Sequence, residues 1–150
     1  MSTLQIGLME IKAIPVQLTW DVRHKAMWPN KPFSYIKIEN DIEGQHFGLY
    51  LENKLVSVIS IFITDTEAQF RKFATLPHYQ GNGYGSTLLS YIFKEMSELG
   101  IKRLWCNARR DKTSFYERFG MVPTQTTFER GNINYVIMES YFQSKKEVGK

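Results

Sequence analysis

The chain has 150 residues, the size of one ordinary domain, and its 43% hydrophobic and 23% charged residues match a globular protein. No apolar run approaches the roughly 20 residues that a bilayer span needs, and the first dozen residues lack the basic-then-apolar order of a secretory signal. A net charge of +4 favours anionic partners, but the Lys and Arg residues are scattered, and the single Cys106 excludes an internal disulfide while no Cys/His spacing suggests a metal. The expectation is one cytoplasmic domain over residues 1–150, with no metal, no nucleic-acid face and no membrane contact; a homodimer stays open.

Residues 4–13 read as a first strand. From Ile14 a helix follows, with Leu18, Val22 and Ala26 recurring every four positions, and it should stop before Pro29. Residues 28–35 (WPNKPFSY) form a loop with two prolines and three aromatics, either simply packed on the surface or part of the wall of a substrate pocket. Phe47, Leu49 and Leu51 alternate with His46, Gly48 and Tyr50, and a short turn at Asn53-Lys54 leads into the apolar run 55–63, which together make a hairpin. Residues 67–75 give another strand, which Pro77 keeps from continuing. After a glycine-rich stretch, Leu88, Leu89, Ile92, Met96 and Leu99 mark an amphipathic helix with Gly100 as its stop. A strand over 102–107 comes next. A short helix over 114–119 should be capped by Ser114 and Glu117 and closed by Gly120. Strands over 122–128 and 133–141 follow, and the tail 144–150 looks frayed.

The stretch Gln80-Gly81-Asn82-Gly83-Tyr84-Gly85 carries the most information. Alternate glycines at a helix entrance clear side chains away from outward-pointing backbone N–H groups, so the chain can close around a phosphate. A P-loop needs Lys before Ser or Thr, and here Gly85 stands before Ser86 and Thr87. A dinucleotide fold wants GxGxxG after its first strand, whereas Gly81, Gly83 and Gly85 have GxGxG spacing after several strands.

Gln80, Gly83 and Gly85 fit a Q/RxxGxG/A signature, and the block ATLPHYQGNGYGSTLL around them resembles the GNAT N-acetyltransferase superfamily. WCNARRDKTSFYERFGM, residues 105–121, is similar to that superfamily's second block, in which a strand ends in Asn and a short helix carries a Phe-Tyr pair before Gly. The two blocks span about a third of the chain. VRHKAMWPNKP and HFGLY in the first half look like small bacterial-type members. One departure is Asn134 before Tyr135, where relatives often place a His, so no imidazole role carries over there. The resemblance implies an α/β (α+β) fold with a mixed, mostly antiparallel central sheet of about seven strands flanked by helices.

It also implies acetyl-coenzyme A as cosubstrate and a small-molecule or peptide amine as acceptor. Gln80 to Gly85 with Ser86 would hold the pyrophosphate, the main chain of Phe73, Ala74 and Thr75 would pair with the pantetheine arm, and Asn107 would bond the arm. Acyl transfer then asks for an N–H near Thr75 to stabilise the oxyanion, worth roughly 3 kcal/mol. It also asks for an acid to protonate the leaving thiolate, and Tyr116 stands at that position. An ammonium acceptor must first lose a proton to a base or a water chain. Glu67 is the carboxylate candidate among Glu67, Gln69, Arg71 and Phe73, which share one strand face, although a solvated role suits a residue at a strand start. His46 and His78 are further candidates, with structural roles the commoner outcome for a lone histidine. The rival to an enzyme is a non-catalytic acyl-coenzyme A binding module on the same fold.

Overall fold

The structure, a computed structural model, describes residues 4–38 and 40–143; the expected frayed tail lies outside the described residues. In chain order the elements are β1 (Leu4–Ile6), β2 (Met9–Ile14), α1 (Gln17–Met27), β3 (Gln45–Leu51), β4 (Lys54–Thr64), β5 (Glu67–Thr75), α2 (Tyr84–Glu98), β6 (Arg103–Arg109), α3 (Thr113–Glu117), β7 (Val122–Arg130) and β8 (Ile133–Tyr141). Short 3-10 turns lie at Phe33–Ile36, Asp41–Glu43, Pro77–Tyr79 and Arg110–Lys112. The strands hydrogen-bond in the order β1-β2-β3-β4-β5-β6-β8-β7, a mixed sheet with β5 and β6 parallel and the pairs β1/β2, β2/β3, β3/β4, β6/β8 and β7/β8 antiparallel.

The mixed, mostly antiparallel sheet agrees with the expected fold, and it carries an eighth strand because the expected first strand is a hairpin. Gly7 takes φ +58°, and the chain folds back so that Leu4 faces Ile11 and Ile6 faces Met9.

The described residues fall into two compact units. The first holds the residues up to Phe62 together with Arg71–Glu95. Its core is built on Ile11, Phe47, Leu49, Val56, Val58, Ile59, Leu88, Leu89 and Ile92, all buried. The apolar run of β4 is buried on successive residues, as a strand covered on both faces should be, and Ser57 and Ser60 are buried with it. Helix α1 begins three residues later than Ile14, after Pro15 and Val16, whose carbonyls accept from Leu18 and Thr19. Its buried face is Thr19, Val22 and Arg23, while Leu18 is 47% exposed, so of the expected Leu18-Val22-Ala26 stripe only Val22 is buried.

The second unit holds Ile63–Phe70 and the described residues from Met96 on. Leu104, Cys106, Ala108, Met121, Val136 and Met138 form its core. Strand β6 continues past Asn107 to Arg109. The parallel ladder pairs Glu67, Ala68 and Gln69 with Arg103, Leu104 and Trp105. Helix α3 starts at Thr113 after Lys112 with no side-chain cap, which places Ser114 inside the helix and overturns the expected capping box. Gly120, at φ +85°, does close the turn, its N–H donating to Glu117 O at 3.0 Å.

Candidate functional site

In the first unit, β5 leads into the glycine loop through a bend fixed at several points. Lys72 holds φ +52° within the strand, a left-handed residue that redirects the chain just before Phe73, Ala74 and Thr75. Ser57 Oγ donates to Ala74 O at 3.1 Å and lies 2.9 Å from Thr75 Oγ1; Leu76 N–H donates to Val56 O at 2.8 Å. Pro77 opens the 3-10 turn Pro77–Tyr79, and its φ suits that place.

Gln80 then turns back on the strand, its Nε2 donating to Thr75 O at 2.9 Å. Asn82 Nδ2 donates to the carbonyls of Tyr79 and Gln80 at 3.4 and 3.3 Å. Both amide side chains therefore brace the loop internally, and what the loop offers outward is backbone. Gly81 and Gly83 have φ +81° and +84°, and a Cβ at either would meet nothing within 4 Å among the described residues, so both front open space there. Gly85 is different: a Cβ there would lie 3.3 Å from Phe73 Cζ and 3.4 Å from Thr75 Oγ1, so this glycine lets α2 start close against β5. Helix α2 begins at Tyr84, and Thr87 donates to Gly83 O from both N (3.0 Å) and Oγ1 (2.9 Å). Helix geometry leaves the N–H groups ahead of Thr87, those of Tyr84, Gly85 and Ser86 among them, without intrahelical acceptors, and the helix dipole favours an anion there. The open glycines and these donors fit a pyrophosphate.

In the second unit, Asn107 is exposed on β6 between buried Cys106 and Ala108 and pairs with Ile137 of β8. Tyr116 on α3 is half-buried, its ring 5.8 Å from Phe70 and 5.1 Å from Phe115. Burial, with the Cys106 thiol beside it, pushes the Tyr116 hydroxyl well above its ordinary pKa, and Arg109 pulls the other way. It is protonated at neutral pH. Burial alone pushes the Cys106 thiol up to about 12, so it is no nucleophile.

Glu67 is half-exposed and accepts from Arg103 Nη1 at 3.0 Å, while Arg103 Nε donates to Glu139 at 2.7 Å. Arg103 is raised above its usual range although its own burial opposes this, the two carboxylates outweighing it. His78 is exposed on its 3-10 turn. His46 is buried: its Nδ1 lies 2.7 Å from Ser60 Oγ and its Nε2 lies 2.8 Å from Asp41 O.

That histidine belongs to a polar cluster that periodicity did not reveal. Arg23, fully buried, donates to both carboxylate oxygens of Asp41 at 2.9 and 3.0 Å, to Ser60 Oγ at 2.8 Å and to Ile36 O at 3.2 Å. Among the described residues its Nε has no partner. Since Asp41 O can only accept, His46 carries its proton on Nε2 and takes the Ser60 hydroxyl hydrogen at Nδ1. Desolvation lowers the His46 pKa, and the Arg23 charge lowers it further, while the Asp41 carbonyl and carboxylate pull the other way.

A glycine loop between strand and helix whose open backbone fits a pyrophosphate suits a protein that uses a phosphate-bearing coenzyme. The model of the acetyltransferase (GNAT) family matches residues 15–121, and the chain belongs to that family, whose general reaction is acetylation with acetyl-coenzyme A. It is similar to YitI, an uncharacterized N-acetyltransferase of Bacillus subtilis, at 29% identity over 141 residues covering 87% of this chain and 95% of the relative. Many solved structures share the fold, two of them as follows. The ribosomal-protein-S18-alanine N-acetyltransferase of Escherichia coli has TM-score 0.74 and 18% identity, covering 91% of this chain and 97% of that one. A GNAT family acetyltransferase of Elizabethkingia anophelis with acetyl-CoA bound has TM-score 0.70 and 12% identity, covering 91% and 100%. Among the described residues no helix is long and apolar enough to cross a membrane, and no group of His, Cys, Asp and Glu could hold a metal ion.

Proposed function

We propose that the chain works as a single cytoplasmic domain that moves an acetyl group from acetyl-coenzyme A to a primary amine of a small molecule or a peptide, by direct attack with both substrates bound. The observation that carries this reading is the pair of left-handed glycines, Gly81 and Gly83, opening onto the first N–H groups of α2. A peptide amine is favoured as one acceptor class by the similarity to the Escherichia coli enzyme, whose name specifies an alanine of a ribosomal protein.

In this reading the N–H groups of Gly81 to Ser86 take the pyrophosphate, the main chain of Phe73, Ala74 and Thr75 takes the pantetheine arm, and Asn107 adds a side-chain bond to it. The coenzyme supplies an activated thioester. The amine nitrogen forms its bond to the acetyl carbon as the carbon–sulfur bond breaks; an N–H near Thr75 stabilises the charge gathering on the carbonyl oxygen. Tyr116, protonated at neutral pH, hands its proton to the departing sulfur. The amine sheds its own proton to Glu67 or through water, and the hold of Arg103 on Glu67 favours the water route.

Acetyl-coenzyme A should raise the melting temperature, and NAD should not. No shift at saturating cofactor would sink the assignment. In a thiol-release assay over a panel of amines, Tyr116→Phe should turn over about a hundredfold more slowly than wild type. Equal rates would remove Tyr116 as the acid. Cofactor binding without release on any amine would turn the reading to a binding module.

A further inference from the structure

Close to the glycine loop in the first unit, three side chains meet that the reaction above does not use. Lys54 Nζ stands 5.3 Å from the centre of the Tyr79 ring, and the Tyr79 ring lies 6.3 Å from that of Tyr84 at a tilt of 53°. They are 25 and 30 residues apart from Lys54 in sequence and are assembled by backbone. The β3–β4 turn is tight, with Glu52 and Asn53 at φ 50° and 69°, and Glu52 N–H is pinned to Leu8 O at 3.0 Å. The bond from Leu76 N–H to Val56 O sets the Pro77–Tyr79 turn beside the start of β4. Tyr79 O also receives the Asn82 side chain, which ties this ring's residue to the loop, and Tyr84 follows Gly83 directly. Among the described residues Lys54 makes no ion pair.

Coenzyme A carries two features beyond its pyrophosphate, a 3′-phosphate and an adenine. A phosphate monoester has a second pKa of about 6 and is close to doubly charged at neutral pH, which suits a compact ammonium on a flexible stem. A purine presents a face that stacks on aromatic rings. We propose that Lys54, Tyr79 and Tyr84 form the subsite for the 3′-phosphoadenosine end of coenzyme A, with Lys54 on the 3′-phosphate and the tyrosine rings against the adenine. This rests on the coenzyme reading of the glycine loop and extends it to side chains from β4 and the turn before the loop. The cation–π contact holds the Lys54 stem over Tyr79 while its charge stays exposed, so the phosphate meets a positioned group.

The test is direct binding by calorimetry at fixed ionic strength, with coenzyme A and 3′-dephospho-coenzyme A as the two ligands. Wild type should bind the dephospho ligand about tenfold more weakly, the order expected of one exposed charge-assisted contact. Lys54→Ala should weaken coenzyme A by the same factor, leave the dephospho ligand unchanged, and be rescued in part by Lys54→Arg. Tyr79→Leu should weaken both ligands alike, with its melting temperature confirming that it is folded. Equal binding of the two ligands to wild type, or equal loss of both in Lys54→Ala, overturns the subsite while the glycine-loop reading stands. Failure of wild type to bind either ligand overturns both.

Discussion

Helices α1 and α2 bury their faces by different means. Helix α2 hides Leu88, Leu89, Ile92 and Met96, each at 0% exposure, a plain apolar stripe with three- and four-residue spacing. Helix α1 hides Thr19, Val22 and Arg23. A buried guanidinium is tolerable only because Asp41, Ser60 and the Ile36 carbonyl surround it, and Asp41 is further tied by Trp20 Nε1 at 3.2 Å and Ile38 N at 3.0 Å. An apolar stripe loses energy in proportion to what is cut from it. A buried ion pair is brittle: removing one partner strands the other.

The largest effect should therefore come from the charged cluster. Asp41→Ala leaves Arg23 buried without its counter-ion and should cost about 3–5 kcal/mol. The value is read from urea denaturation. A loss below about 1 kcal/mol would mean that water reaches Arg23 and that the contrast between the helices is false. Leu88→Ala, a cavity in the apolar face of α2, should cost about 2–5 kcal/mol and leave the m-value unchanged. The two sites answer differently to conservative change. Leu88→Met should cost less than about 1.5 kcal/mol, whereas Arg23→Lys, which keeps the charge but cannot grip both oxygens of Asp41, should not be mild.

The same contrast governs how much was legible beforehand. Helix α2 and the run in β4 could be read because their apolar residues follow the period of the element. Helix α1 was placed correctly at its end by Pro29, but its buried face was misjudged because a charge occupies it, and nothing in periodicity marks a charge as buried. The β1/β2 hairpin was missed because each strand is short and a single glycine makes the turn. The backbone of the glycine loop and the helix start after it were readable because left-handed turns favour glycine at fixed spacing. Lys54 beside Tyr79 was not, since a bond between Leu76 and Val56 brings them together across the fold. Tyr116 is named by its sequence block, but that Phe70 and Phe115 pack against it, and that burial raises its hydroxyl further above its ordinary value, comes from the tertiary fold alone.

The smallest effect, and the sharpest probe of the cluster, is its response to acid. His46 faces Arg23 and Asp41 through Ser60 and the Asp41 carbonyl, with the Phe62 ring 6.3 Å from its own. Burial lowers its pKa from the ordinary 6.5, so the folded chain refuses a proton that the unfolded chain accepts. A proton on Nδ1 would also displace the Ser60 hydroxyl hydrogen, leaving Ser60 Oγ between two donors. Stability should thus be flat in this group's contribution above about pH 6.5 and should fall as pH drops below it. Asp41 behaves in a lower window. Its pKa is depressed below 3.8 although burial opposes this, the bonds from Arg23 and Ile38 and the Arg23 charge outweighing it, so its contribution is lost only as pH falls through and below that range. Urea midpoints measured from pH 7.5 to 5 isolate the histidine, and His46→Gln should flatten the slope in that interval. An unchanged slope in His46→Gln would place the titration elsewhere and reduce His46 to packing.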